Sequence, residues 1–354
     1  MSKKILNLRS RIVVLPNAFW CSVPQLQNYI LPLAARNYST WCAIQPCSLD
    51  NLKLNPWFVT GFTDGEGCFY VTVTKDDDYK QGWMVKSFFE ISLKENDYPI
   101  LKQIKNLFRV GSINYNKKTK SFLFRVSSSK DLKIIIDHFD KFPLITQKRA
   151  DFELFKKVFN LMLRNQHLTM EGLRIIVAIK SSMNKGQLSD MLKINFPDIV
   201  PSLRTVRLIV KNQKIKNPHW LAGFTAGEGC FFIEVSKSNT HIIGFQVKLL
   251  FILTQHSRDE QLMRSLIKYF ACGRIHKMGE AFDFRVTKKC DIQNVIIPFF
   301  KKYTIHGVKA LDFADWCEVA EMMKQKKHLT PSGLDQIKKI KARMNSERYK
   351  NESC

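Results

Sequence analysis

The sequence predicts an α+β protein built as a tandem, pseudo-symmetric duplication. Each half is a four-stranded antiparallel sheet packed on helices, with one glycine-rich helix per half at the interface between them. Three observations carry this. Residues 59–69 (VTGFTDGEGCF) return at 221–231 as LAGFTAGEGCF. The surroundings repeat in register: Glu66 to Glu228 is a step of 162 (228 − 66), and Lys148 to Lys309 is a step of 161 (309 − 148). Asp151-Phe152 with Asp312-Phe313, His167-Leu168-Thr169 with His328-Leu329-Thr330, Gly172 with Gly333 and Met183-Asn184 with Met344-Asn345 all keep the 161 offset. Finally, each copy changes from helical spacing to strict two-residue alternation directly after its Glu-Gly. A period this long lies far above that of solenoid units, so each copy is a domain in its own right. A chain of 354 residues leads to the same count of two.

Pro56 sits where a missing N–H costs a helix nothing, and residues 57–65 read as a helix despite their glycines. Gly61 and Gly65, like Gly223 and Gly227, lie four apart on one helix face, which predicts close approach of two helix backbones. Gly67 and Gly229 are expected to stop these helices as glycine C-caps. Phe69, Val71 and Val73 then alternate with Tyr70, Thr72 and Thr74, and Phe231, Ile233 and Val235 alternate with Phe232, Glu234 and Ser236. Each is a strand with one buried face. A turn over 76–82 leads to a second strand, 83–94, matched by 244–255, where Gln246 and Lys248 face away from Val247, Leu249 and Phe251. A helix carrying Ile100, Ile104 and Leu107 follows, then strands near 111–115 and 121–126, with Arg125 opposite Phe124 and Val126. In the second copy Asp283, Arg285 and Thr287 oppose Phe282, Phe284 and Val286. Helices near 130–140, 148–164 and 170–183 finish the unit. The domains expected are therefore 51–184 and 217–347, joined by a Lys- and Pro-bearing linker, 185–216, and followed by a tail, 348–354.

There are 56 Lys and Arg against 31 Asp and Glu, a formal charge of +25. Such a balance favours a polyanion, nucleic acid first and an acidic membrane surface second. Nine cysteines without a Cys-x-x-Cys pair argue against zinc knuckles and a disulfide framework, and for a reducing compartment. No apolar run reaches membrane-spanning length. Residues 1–49 contain no Asp or Glu, carry Arg9, Arg11 and Arg36, and include Arg36-Asn37-Tyr38-Ser39, which resembles a mitochondrial processing site. Residues 1–50 are thus expected to be a transit segment or a read-through leader outside the fold. Glu66 and Glu228, repeated carboxylates in a basic chain, point to paired acids on an internal two-fold axis acting on a polyanion.

These motifs resemble the LAGLIDADG homing endonucleases, most of all the single-chain, two-motif, I-OnuI-type branch of organellar introns. Residues 221–229 follow the signature position by position and 59–67 a little more loosely; the similarity covers about 52–347. The resemblance implies that both motif helices pack on the pseudo-two-fold axis and bring Glu66 and Glu228 together over DNA. It implies a divalent metal held by these two and by Gly65 and Gly227: Mg²⁺ or Mn²⁺, with Ca²⁺ bound without turnover. It also implies a catalytic role for Lys148, Lys309 and Gln255. Leu93 stands where Gln255 has its register partner, and Asp64 faces Ala226, so the two half-sites depart from symmetry. The two sheets would lie in the major groove and read it with Tyr70, Thr72, Thr74, Lys86, Ser92 and Arg125 in the first copy. In the second they would use Phe232, Glu234, Ser236, Gln246, Lys248, Asp283, Arg285 and Thr287. Each half would span ~10 bp, giving a long, non-palindromic target cut in both strands by one monomer, with short 3′ overhangs, in the mitochondrion. The alternative is an intron RNA-splicing maturase of the same fold, binding host intron RNA alone or in addition.

Overall fold

A computed structural model of the chain describes residues 54–184, 186–199, 209–346 and 348. The leader, most of the tail and part of the linker lie outside the described residues. The first half runs α1 (Pro56–Glu66), β1 (Gly67–Lys75), β2 (Trp83–Lys94), α2 (Tyr98–Phe108), β3 (Ser112–Asn116), β4 (Ser121–Val126), α3 (Ser129–Lys141), α4 (Lys148–Leu163) and α5 (Met170–Lys180). A short helix, α6 (Asp190–Asn195), precedes the second half: α7 (Pro218–Glu228), β5 (Gly229–Lys237), β6 (Phe245–His256), α8 (Glu260–Phe270), β7 (Arg274–Met278) and β8 (Ala281–Val286). It ends with a helical run α9 over 289–302, α10 (Val308–Lys324) and α11 (Pro331–Ala342). The sheets have the same antiparallel order, β1-β2-β4-β3 and β5-β6-β8-β7.

The duplicated sequence folds by duplicated devices. Asn55 and Asn217 cap the motif helices, each accepting an N–H two residues on at 2.9 Å (Trp57 and His219), and Pro56 and Pro218 occupy the first turn. Thr169 and Thr330 cap α5 and α11 by accepting from Gly172 N and Gly333 N at 3.1 Å, which explains the repeated His-Leu-Thr and glycine. The repeated Asn184 and Asn345 are left-handed (φ 51° and 56°). Their backbone N–H groups donate to Asp151 and Asp312, and their side-chain amides donate to Phe69 O and Phe231 O at 3.1 Å. The end of each copy is thereby tied to its first strand.

Each sheet buries its apolar face on α2–α5 or on their counterparts. Phe69 sits in a ring cluster with Phe89, Phe139, Phe152 and Phe155; Phe231 does so with Phe251, Phe300, Phe313 and Trp316. Fully burying one such ring stabilises by roughly 1.5–3 kcal/mol. No helix among the described residues is long and apolar enough to cross a membrane.

Three differences from the sequence reading have physical causes. Gly67 and Gly229 do end their helices, but with φ −75° and −78° rather than in a left-handed cap. They are glycine because an added Cβ would lie 2.4 and 2.5 Å from the methyl groups of Thr63 and Thr225. The span read as linker contributes to the first core: Leu188, Leu192 and Phe196 are buried there, and Phe196 packs on Trp83 at 5.4 Å. Lastly, α9 contains a π turn at Ile292–Ile296 ahead of Pro298. Proline has no N–H to offer the carbonyl four residues back, and the wider turn absorbs the defect.

His138, on α3, is packed among Phe108, Phe139 and Phe142, with Thr60 Oγ1 3.3 Å from Nε2. Burial lowers its pKa from 6.5 to about 4. The unfolded chain therefore binds more protons between these values, and stability is lost as pH falls through that window, by roughly 3 kcal/mol at most. Urea midpoints of the wild-type chain should fall further than those of His138→Gln between pH 7 and 4.5; parallel curves would disprove the burial argument.

Candidate active site

The site starts at the crossing of α1 and α7. A methyl group added to Gly61 would lie 1.9 Å from Trp220 O, and one added to Gly223 would lie 1.9 Å from Phe58 O. Only hydrogen fits at these points, so the two backbones meet there directly. One turn further on the relation repeats with acids. The Gly65 Cβ position lies 3.3 Å from Glu228 Cγ, and the Gly227 Cβ position lies 3.3 Å from Glu66 Cγ. Each glutamate thus leaves the end of its own helix and passes over a glycine of the other, which draws the two carboxylates to the axis.

A helix C-terminus is the unfavourable end for an anion, because the last carbonyls carry partial negative charge. Lysines answer this in both copies. Lys148 Nζ donates to Thr63 O at 2.9 Å and Gly65 O at 2.8 Å; Lys309 Nζ donates to Gly227 O at 3.2 Å and Gly229 O at 2.5 Å. Both come from the first turn of the long helices α4 and α10, so each repeated lysine reaches the end of the helix that carries its own half's glutamate. Gly65 and Gly227 carbonyls, assigned to a metal from the resemblance, already accept from these lysines and keep one lone pair each.

Burial is the first cause of the titration behaviour. It raises the pKa of Glu66, against the pull of Lys148 and Lys309 and with a further rise from Asp97. Glu66 remains open to solvent on one side; the neighbouring atoms crowd the rest. Glu228 is raised by burial and then by Glu66 itself, which registers the closeness of the two acids. The Lys148 ammonium is pushed down by burial, against Asp64, Glu228 and Glu66. Carboxylates that resist ionisation beside one another are ready partners for a cation.

Asp64 is buried and is held by Ile145 N at 2.9 Å, Thr146 N at 3.2 Å, Thr146 Oγ1 at 2.6 Å and Trp220 Nε1 at 2.7 Å. Burial raises its pKa to about 6. It ties α1 to the turn that launches Lys148 and to α7, and Ala226 cannot do this in the second half. Gln255, at the end of β6, sits with Nε2 3.5 Å from Glu228 Oε1, at the outer limit of a hydrogen bond. Leu93 lines the cavity beside Glu66 in the corresponding place. The two half-sites are therefore built differently around similar acids and lysines.

Among the described residues, no group of three or more His, Cys, Asp or Glu is arranged to hold a metal ion. The donors present are two carboxylates and nearby carbonyls, all hard oxygens. They fit a hard divalent cation, which takes oxygen ligands.

The outer faces of the sheets lie on strands that leave the site directly. On the first, Tyr70 and Phe88, Thr72 and Lys86, and Glu90 and Arg125 are cross-strand partners, with Thr74 and Ser92 exposed beside them. Arg125 Nε donates to Glu90 at 2.6 Å, and its guanidinium stands 5.0 Å over Phe88. On the second, Phe232 is exposed, Glu234 opposes Lys248 and Ser236 opposes Gln246. Asp283 is on this face but buried: it accepts from Thr254 Oγ1 at 2.8 Å and from Arg285 Nη2 at 2.7 Å, so it positions Arg285. Thr287 is exposed one residue beyond β8. Sequence reasoning missed Glu90, Thr254 and the polar face of the short strands β3 and β7 (Ser112, Asn114, Arg274, His276), which pair in the same ladders. Five-residue strands give too short an alternation to orient, whereas pairing with Arg125 and Arg285 orients them. It also missed Asp97 and Asp259, although their step of 162 (259 − 97) equals that of the glutamates.

Comparison with known proteins gives a consistent result. The model of the LAGLIDADG endonuclease family matches residues 59–159 and 221–320. A protein of Neurospora crassa called probable intron-encoded endonuclease 2 is 42% identical over 302 residues, which is 81% of this chain; the chain spans 64% of that relative's length. The structure of the I-SmaMI LAGLIDADG homing endonuclease bound to cleaved DNA is similar with a TM-score of 0.80 at 46% identity, over 84% of this chain and 98% of that one. I-SmaMI bound to its uncleaved DNA target in the presence of calcium ions is similar with a TM-score of 0.80 at 46% identity, over 83% of this chain and 99% of that one.

Proposed function

The chain belongs to the LAGLIDADG endonuclease family, and from that premise we propose that it is a site-specific homing endonuclease that breaks both strands of a long, non-palindromic DNA target with short 3′ overhangs. The observation that carries this is the reciprocal crossing of Glu66 and Glu228 over Gly227 and Gly65. The likeness to I-SmaMI in complex with DNA, and with calcium ions, supports a DNA substrate and a divalent cation. Both acids reside in one chain, which supports a monomer as the active species. The acid-free, arginine-bearing composition of residues 1–49 supports action in the mitochondrion. Retention of both acids favours cleavage over the purely RNA-binding reading.

In this reading Glu66 and Glu228 would hold Mg²⁺ or Mn²⁺ against the scissile phosphates. When bound, the metal supplies an activated water and stabilisation of the leaving oxygen. Lys148 and Lys309 neutralise the helix ends from which the acids project and place positive charge beside developing phosphate charge. Gln255 orients Glu228, and Leu93 leaves Glu66 without such a partner, so the strands are cut at different rates. Arg125, Lys86, Lys248 and Arg285 meet base edges or phosphates in the major groove.

Selection of cleaved members from a randomised duplex library with Mg²⁺ tests the proposal. One site of about two helical turns should emerge, and EDTA should stop the cutting; metal-independent or sequence-blind cutting would refute it. With the selected duplex, affinity should fall steeply with salt, as expected for a chain of charge +25. Arg125→Ala and Lys248→Ala should each lose discrimination at particular base pairs, by about 1–3 kcal/mol. A uniform loss over all sequences would recast both as phosphate contacts.

A further inference from the structure

The residue before each lysine is hydrogen-bonded from the opposite half. Val308, the residue before Lys309 in the second half, donates its backbone N–H to Asp97 Oδ1 of the first half at 2.8 Å. Gln147, the residue before Lys148 in the first half, donates its backbone N–H to Asp259 Oδ1 of the second half at 2.7 Å. Gln147 and Val308 are 161 apart (308 − 147) and Asp97 and Asp259 are 162 apart, so one contact is the pseudo-symmetric image of the other.

Both contacts bear signs of being built. Gly307, at φ 76°, lets the backbone pass so close to Asp97 that an added Cβ would lie 2.7 Å from Oδ1. Asp259 is fully buried, and Gln213 Nε2 holds the same oxygen at 2.5 Å while Gln213 Oε1 accepts Leu262 N at 3.0 Å. Gln147 is in turn gripped by Val210 through both atoms of its amide, at 3.1 and 3.2 Å. Asp97 also borders a cavity of about 70 Å³ with Glu66, Gly227, His306 and Lys309, so the clamp on α10 lies against the other half's acid.

We propose that Asp97 and Asp259 are reciprocal positioning residues: each fixes the start of the helix that carries the other half's lysine, and so couples the two cleavage centres through the domain interface. A carboxylate accepting from the first N–H groups of a helix favours that helix geometrically and electrostatically. Here it also sets where Lys148 or Lys309 emerges. A shift at one sheet is transmitted to the opposite lysine rather than to its own. The inference rests on the nuclease reading for its kinetic consequence, but not for its geometry.

Two measurements decide it. With ¹³C-lysine labelling and no DNA, Asp97→Ala should move the Lys309 side-chain resonance and leave that of Lys148, and Asp259→Ala should do the reverse. Both resonances moving together, or neither, overturns the proposal whether or not the chain cuts DNA. In single-turnover cleavage of a duplex with each strand labelled, Asp97→Ala should slow one strand by roughly 10- to 100-fold and accumulate nicked duplex. Asp259→Ala should accumulate nicks in the opposite strand, with binding of uncut DNA unchanged in both. Asp97→Asn and Asp259→Asn keep an oxygen acceptor and should restore most of the rate. Equal slowing of both strands, or asparagine variants as defective as alanine, would reduce the aspartates to plain stabilising contacts. A wild-type chain that cuts no duplex would fail the nuclease reading alone, since the resonances still decide the positioning.

Discussion

Glu66→Gln and Glu228→Gln should each lower double-strand cleavage by at least about 10³-fold, with DNA affinity within roughly twofold of the parent. Glutamine keeps the shape of the side chain, so its Cγ can still lie against Gly227 or Gly65, and the helix crossing is undisturbed. What it removes is the charge that, in the proposed reading, would hold a hard cation. In Glu66→Gln it also removes a repulsion: Glu66 raises the pKa of Glu228, so the surviving Glu228 ionises more readily. Loss of activity would then come from the missing ligand and not from collapse of the site. Supercoiled plasmid carrying the selected target reads this directly. Nicked circles or uncut plasmid agree with the assignment, whereas full linearisation by either variant would sink it.

The elements were legible because each rests on a local signal. The alternation from Phe69 to Thr74 oriented β1, Pro56 marked the start of α1, and the four-residue glycine spacing announced a helix crossing before any contact was visible. The acids and lysines were legible because duplication acts as an internal comparison: positions that recur at one offset stand out. The same device reached Asp151, Asn184 and their images without saying what they did, since a backbone N–H partner leaves no mark in composition. It passed over Asp97 and Asp259, whose partners lie 211 and 112 residues away in the other half. The individuality of the faces was hardest to read. Arg125 is countered by Glu90 on the neighbouring strand and Arg285 by Asp283 on its own, so the acid has moved between copies while the pairing persists. Alternation alone assigned Asp283 to the reading face; its burial under Arg285 and Thr254 depends on which strand the acid occupies.

Gly61→Ala and Gly223→Ala are expected to be the most damaging substitutions outside the acids, although each adds a single carbon. In an isolated helix the same exchange is favourable by about 0.5–1 kcal/mol, because alanine loses less backbone freedom. At the crossing the sign reverses. The new Cβ would stand 1.9 Å from a carbonyl oxygen and under 3 Å from a backbone nitrogen of the other helix, and neither is the end of a flexible side chain. Relief requires the two backbones to part by roughly 1 Å, which loosens the rows of buried residues on both helices and costs about 3 kcal/mol or more. That corresponds to a melting temperature lower by roughly 6–12 °C. The same displacement carries Glu66 away from Glu228, and a misplacement of that size at a reacting centre costs about 10²-fold in rate. Gly82→Asn is a useful contrast: Gly82 has φ 70° but nothing within 4 Å, and asparagine tolerates the left-handed region. Its melting temperature and cleavage rate should stay near the parent's. A Gly61→Ala protein as stable and as active as Gly82→Asn would mean that α1 and α7 do not meet backbone to backbone, and the convergence of Glu66 and Glu228 would lose its cause.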